Sequence, residues 1–206
     1  MLQFPRLHGG PRDPEGNRGR RNDHRRGFRG LTGLRQSPGF TVRAFRPDDL
    51  PALHGVEIRA STLFADHGYP EVGAEPPPID EFAEFLRANT VHVAVDAGDA
   101  PIGYAVSGEV DGIWWLKELG VDPAHMRQGA GTALLGAVSG HARAAGYGRI
   151  GLSTFRDIPF NAPFYACRGW RIVDPGTVSA ALRARFLEEV PDGVSPGDRV
   201  LMVLQL

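Results

Sequence analysis

The chain has 206 residues, 42% hydrophobic and 23% charged, which suits one ordinary globular domain and argues against a fibrous or wholly disordered protein. Its net charge of −1 hides a division: residues 1–40 carry nine Arg and three acidic groups, whereas residues 41–206 carry fourteen Lys and Arg against twenty-one acidic groups. No apolar run approaches the ~20 residues of a membrane span. The start, Met1-Leu2-Gln3-Phe4-Pro5-Arg6, lacks a secretory layout. The single cysteine, Cys167, excludes a disulfide framework and fits a reducing cytoplasm.

Residues 1–39, rich in Arg, Gly and Pro, bury too little apolar area to offset their ordering entropy and are read as a disordered tail. Spaced arginines from Arg18 to Arg29 can neutralise phosphates, but charge blocks of this kind usually mark solvated tails, so nucleic acid is not an expected partner. The domain is then 40–206. Thr41 to Phe45 alternates like a strand, and Pro47-Asp48-Asp49 opens a helix running to about Ser61. A Gly- and Pro-rich loop from Asp66 to Pro78 precedes an amphipathic helix over Ile79–Ala88. Strands follow at Val91–Val95, Ile102–Val110 and Ile113–Val121, with turns at Gly98-Asp99 and Asp111-Gly112. Leu134, Leu135, Val138, Ala142 and Ala145 mark a helix ended by Gly146 and Gly148. Further elements are a strand through Ile150, Leu152 and Thr154, a short helix Pro163–Arg168, a strand near Trp170–Val173, a helix within Thr177–Glu189 and a last strand over Val200–Leu206. This order predicts an α/β fold of the α+β type, with helices flanking a mixed sheet.

One stretch concentrates the chemistry. After Leu119-Gly120-Val121-Asp122-Pro123 comes a polar turn, His125-Met126-Arg127-Gln128, and then a helix opening on Gly129-Ala130-Gly131-Thr132. The unsatisfied N–H groups of such a helix start, with its positive dipole end, form a site for a pyrophosphate, and Arg127 adds a cation beside it. A phosphate loop would need Gly-Lys-Ser/Thr, and a dinucleotide fingerprint a third Gly at 134, where Leu134 stands. A glycine-rich helix packed on a strand, with no ligand, is the plain alternative. Some thirty residues on comes Asn161-Ala162-Pro163-Phe164-Tyr165-Ala166-Cys167-Arg168-Gly169-Trp170.

Together the two segments resemble the GNAT superfamily of acyl-CoA-dependent N-acyltransferases, over residues 41 to 206. Gly129-Ala130-Gly131 matches the family's pyrophosphate turn, and Tyr165 with Gly169-Trp170 matches its Tyr-x-x-x-Gly-Phe helix. The resemblance implies a mostly antiparallel sheet of six to seven strands and acetyl-CoA as donor. It implies that the backbone of Leu119 and Val121 binds the pantetheine arm like an added strand, with an amide of that strand near the thioester oxygen. Gly129, Ala130, Gly131 and Thr132 would hold the pyrophosphate, and Tyr165 would donate a proton to the departing thiolate. The family's leading Arg or Gln falls at Met126, so Arg127 and Gln128 are the side chains left to assist.

The acceptor amine, with pKa ~10.4, must lose a proton before attack. Glu118 is the carboxylate placed for this by sequence, directly or through a water; otherwise it is a surface residue beside Lys117, and Glu109 and Asp157 are lesser candidates. Asn161 either contacts the pantetheine arm or caps its helix. Cys167 is read as a helix residue near the core. The acceptor pocket is expected from Phe64–Pro78 and from the strand carrying Trp114 and Trp115, which line it or fill the core. The seven histidines form no metal motif, and no metal is expected. The expected reaction is acetyl transfer to a primary amine of a small molecule or peptide by direct attack in a ternary complex, by a monomer or a homodimer. The alternative is a non-catalytic acyl-CoA-binding module.

Overall fold

The computed structural model describes residues 39–206, so the reading of an N-terminal tail, Arg18–Arg29 included, lies outside the described residues up to Gly39. The strands are β1 (Phe40–Ala44), β2 (Thr90–Asp96), β3 (Pro101–Val110), β4 (Ile113–Val121), β5 (Arg149–Phe155), β6 (Arg171–Val173) and β7 (Arg199–Gln205). The helices are α1 (Leu50–Ser61), α2 (Ile79–Arg87), α3 (Ala130–Ala144), α4 (Ala162–Ala166) and α5 (Ala180–Glu188).

Two local differences from the sequence reading have clear causes. The helix expected from Pro47 begins as a single 3₁₀ turn, Pro47–Asp49, and restarts at Leu50. Asp49 turns its carboxylate back onto the Arg46 N–H at 2.7 Å and onto Arg43 at 2.7 Å, while Pro51 brings no N–H to the next turn. After Ser61 the chain does not enter a loop directly but continues as a 3₁₀ helix, Thr62–His67, closed by Gly68 at φ +90°.

The seven strands form one sheet in the order β1-β2-β3-β4-β5-β7-β6, with β4–β5 as the parallel pair. The α+β architecture with a mostly antiparallel sheet is thus present. Alternation sends Ile102, Ala105, Trp114, Leu116, Ile150, Leu152, Val200 and Met202 to a core beneath α3. On the opposite face, α1 and α2 bury Leu53, Val56, Phe82 and Leu86 against Val93, Tyr104 and Val106, and α5 buries Leu182 and Phe186 against Ile113, Trp115 and Leu201. Both tryptophans are therefore core residues.

Two irregularities shape the centre of the sheet. In β4, Val106 pairs with Glu118 but Ser107 pairs with Leu116, so Lys117 is an inserted bulge residue. The insertion reverses the side-chain parity: Leu119 and Val121 return to the α3 core, and Glu118 is delivered to the α1 face beside Tyr104. Secondly, β4 and β5 pair only at Trp114–Ile150 and Trp115–Gly151, after which they diverge. At that junction the Trp115 ring lies where a Cβ on Gly151 would stand, 2.6 Å from Cζ3. Among the described residues no helix is long and apolar enough to cross a membrane.

Candidate active site

The divergence of β4 and β5 opens a cavity of about 630 Å³. Leu116–Val121 and Leu152–Phe155 form its two strand walls, and their facing backbone edges carry no ladder. Leu119 and Val121 lie on the β4 edge, so their backbone groups are available to a ligand that runs between the strands.

One end of the cavity is the start of α3. Gly129 holds the left-handed N-cap position at φ +97°, and the first intrahelical bond runs from Ala133 N–H to the Gly129 carbonyl. The N–H groups of Ala130, Gly131 and Thr132 thus have no intrahelical acceptor, and no side chain caps them. A Cβ on Gly131 would stand 3.3 Å from Phe164 and partly fill the cradle. These donors, at the positive end of a fifteen-residue helix, fit a pyrophosphate.

The side chains around this start divide. Arg127, at φ +61°, lines the cavity with Met126 and His125. Gln128 instead donates to the Ala124 carbonyl at 3.2 Å, and its residue is not part of the cavity wall. Thr132 accepts from Arg168 Nε at 3.0 Å and Nη2 at 2.8 Å, and the Arg168 guanidinium lies 3.7 Å over the Phe164 ring. Arg168 therefore brings a second cation to the helix start. The sequence reading missed it, although it sits three residues after Tyr165 in the quoted motif.

Tyr165, on α4, is buried against Trp170 and faces the cavity. Burial raises its hydroxyl above the ordinary phenol range, opposed by the positive charges of Arg199 and Arg168, so it is held as a proton donor. Asn161 also lines the cavity, and its side chain makes no capping bond to α4. Cys167 is the exposed residue that caps the C-terminus of that helix rather than a core residue.

The opposite wall carries the carboxylates. Tyr104 Oη lies 2.5 Å from Glu57 Oε2 and is also hydrogen-bonded to Glu118. A phenol has one proton, so it can donate to only one of the two. Burial first, and then the negative charge of Glu57, holds the Glu118 carboxyl well above the usual carboxylate range; the bond from Tyr104 opposes this. Two carboxylates this close in a buried site do not both ionise readily, which makes Glu118 a stronger base than a surface Glu. Glu57 escaped the sequence reading, although a Glu beside Leu53 and Val56 on the buried face of a helix was its signal. Glu109 is spent on the Gly112 N–H in the β3–β4 turn, and neither it nor Asp157 lines the cavity.

Phe64, His67 and Val72, from the segment after α1, line the cavity together with Phe155 and Phe160. Trp114 and Trp115 take no part: the first packs on His141 and Tyr147, and the second donates from Nε1 to Glu189 at 2.8 Å. No group of three or more His, Cys, Asp or Glu that could hold a metal occurs among the described residues.

An open sheet with a backbone-lined slot and an anion cradle at its mouth defines a fold that can hold an extended ligand with an anionic head. The model of the acetyltransferase (GNAT) family matches residues 60–170, and the chain belongs to that family. Its fold is similar to that of the PaiA N-acetyltransferase of Thermoplasma acidophilum in complex with coenzyme A, at 16% identity and TM-score 0.61, covering 81% of this chain and 99% of that one. It is also similar to the ribosomal-protein-S18-alanine N-acetyltransferase of Escherichia coli, at 20% identity and TM-score 0.58, over 81% and 93% of the two chains. A GNAT-family acetyltransferase of Staphylococcus aureus matches at 14% identity and TM-score 0.60, over 81% and 99%.

Proposed function

We propose that the protein transfers the acetyl group of acetyl-CoA to a primary amine of a small molecule or peptide by direct attack within a ternary complex. The observation that carries this reading is the shared cavity, with free helix-start donors at one end and the Glu57–Tyr104–Glu118 cluster on the facing wall. The N–H groups of Ala130, Gly131 and Thr132, with Arg127 and Arg168 beside them, hold the pyrophosphate. The free edges of β4 and β5 take the pantetheine arm like a missing strand, with Asn161 available to it.

Glu118 accepts a proton from the ammonium form of the acceptor, and the neutral nitrogen attacks the thioester carbon. A C–N bond forms, the attacking nitrogen gives up its second proton to solvent, and the C–S bond breaks. The sulfur leaves as thiolate and takes a proton from Tyr165, which solvent restores. The bulge at Lys117 bends β4 where the carbonyl oxygen would lie, and a backbone amide there supplies a fixed dipole. Proximity and these dipoles carry most of the acceleration, so no covalent enzyme intermediate is required. The lone cysteine supports a reducing, cytoplasmic setting.

The test is thiol release from acetyl-CoA across an amine panel, with the acetylated product identified by mass. Saturable release with one N-acetylated product is expected. Tight binding of acetyl-CoA with no release on any amine would favour the non-catalytic acyl-CoA-binding module instead.

A further inference from the structure

We infer that the acceptor carries a carboxylate as well as its amine, and that Arg199 is the group on which that carboxylate sits. The inference rests on the acetyl-transfer reading and goes beyond it in naming the acceptor's second charged group.

Arg199 opens β7, is only 8% exposed, and lines the cavity. Its Nη2 donates to Ser153 Oγ at 2.9 Å, its guanidinium lies 4.8 Å over the Phe155 ring, and its Nε is buried with no partner. No carboxylate of the described residues stands within ion-pair distance of it. Other arginines inside the fold differ in this respect: Arg43 pairs with Asp49 and Asp99, and Arg185 with Glu189. Glu189 acts on Arg199 only at a distance, because it is already engaged by Arg185 at 2.6 Å and by Trp115 Nε1 at 2.8 Å. Burial accordingly lowers the guanidinium to about 10, which leaves it charged at neutral pH.

A buried cation without a counterion is costly, and a guanidinium in a cavity wall is matched by a planar carboxylate. Lys117 lines the cavity from the β4 wall, its ammonium pKa lowered first by burial and then by Arg185. The place is also right for an acceptor. Bonding to Ser153 holds the guanidinium at that level of β5. Counting from Trp115–Gly151, with Lys117 inserted, the β4 residue level with Ser153 is Glu118. Both groups project to the face opposite α3 and line the same cavity, Glu118 from β4 and Arg199 from the β5–β7 side. An amino carboxylate spans them, its nitrogen toward Glu118 and its carboxylate toward Arg199. Phe64, Val72, Phe155 and Phe160 leave an apolar wall for the remainder, which points to an α-amino acid with an apolar side chain.

The experiment measures binding and turnover separately on the CoA-loaded and acetyl-CoA-loaded protein. The probes are L-phenylalanine, L-leucine and L-methionine, each beside its primary amide, with the wild type, Arg199→Gln and Arg199→Lys. At least one acid is expected to bind more tightly than its amide by about tenfold or more, the size of a lost charge-assisted pair. That preference should collapse in Arg199→Gln and partly return in Arg199→Lys, with KM moving more than kcat and CoA affinity unchanged. Equal binding of acids and amides to the wild type, or an undiminished preference in Arg199→Gln, overturns the inference, as does failure of every acid to bind. If Arg199→Gln does not fold, the wild-type ratio and Arg199→Lys still decide. An acid that binds through Arg199 without thiol release refutes the transfer reading and leaves the carboxylate site. Transfer to amides with no preference for acids does the reverse.

Discussion

The two ends of the cavity are built from different material. At the α3 end, recognition rests on backbone N–H groups that a helix start leaves free, and the flanking side chains of Arg127 and Arg168 sit at the surface. The wall proposed for the acceptor is instead built of side chains gathered from α1, β3, β4 and β7, nearly all buried. The first end costs little desolvation and depends on local backbone shape. The second concentrates Glu57, Glu118 and Arg199 in a poorly solvated place, where each charge depends on its neighbours. One end is suited to a constant ligand, and the other to selecting and activating a variable one.

The largest effect that would test this contrast is on turnover at the acceptor wall. Glu118→Gln should lower kcat by about 10²–10⁴-fold, the usual scale for a lost general base, while acetyl-CoA affinity stays as it was. A variant that keeps wild-type kcat would remove Glu118 from the chemistry. Tyr165→Phe should cost on the order of 10²-fold in kcat, again with donor affinity retained, if the phenol protonates the leaving sulfur. Stopped-flow and steady-state thiol release read both.

Acidity gives a subtler probe. The proposed base Glu118 would act ionised, and its carboxyl is held above the usual range, so kcat/KM should fall on acidification at a pH above that of an ordinary Glu. Glu57→Gln removes the second-largest cause of the elevation, so the acid limb should move to lower pH; an unmoved limb would detach Glu57 from the base. Stability should respond in the opposite sense to activity. A carboxyl raised in the folded state adds stability that is full below its unfolded pKa and is lost as pH rises through the folded one. Glu118→Gln should therefore melt higher than the wild type at neutral and alkaline pH, with the advantage shrinking toward acid.

At the backbone end, effects should be smaller and of another kind. Gly129→Ala places a Cβ at φ +97°, which costs about 1 kcal/mol of stability and tilts the helix-start donors. Acetyl-CoA affinity should drop several-fold by calorimetry, with kcat at saturating donor little changed. A loss of kcat with intact donor affinity would contradict the division of labour.

The same contrast explains what could be read from the sequence. The strands, the helices and the anion cradle are local, and Gly129-Ala130-Gly131 after a strand end announces the cradle within a few residues. Glu118 was visible as a carboxylate on the right strand. Its face was not, because period-two counting puts it with Leu116 beneath α3, and only the inserted Lys117 turns it toward Tyr104. Glu57 and Tyr104 meet Glu118, and Arg199 meets Ser153 and Phe155, through long-range packing that no spacing rule encodes. The tryptophans misled in the other direction: two large rings beside a candidate base resemble a pocket wall, yet alternation sends one under α3 and the other under α5.

The junction where β4 and β5 part has a consequence for the shape of the cavity. Trp115 packed against Gly151 sits behind the slot and is not part of its wall, yet it marks the last point at which the two strands are held together. The splay of the two strands, and with it the mouth of the cavity, therefore begins at a core contact between one indole and the missing side chain opposite it.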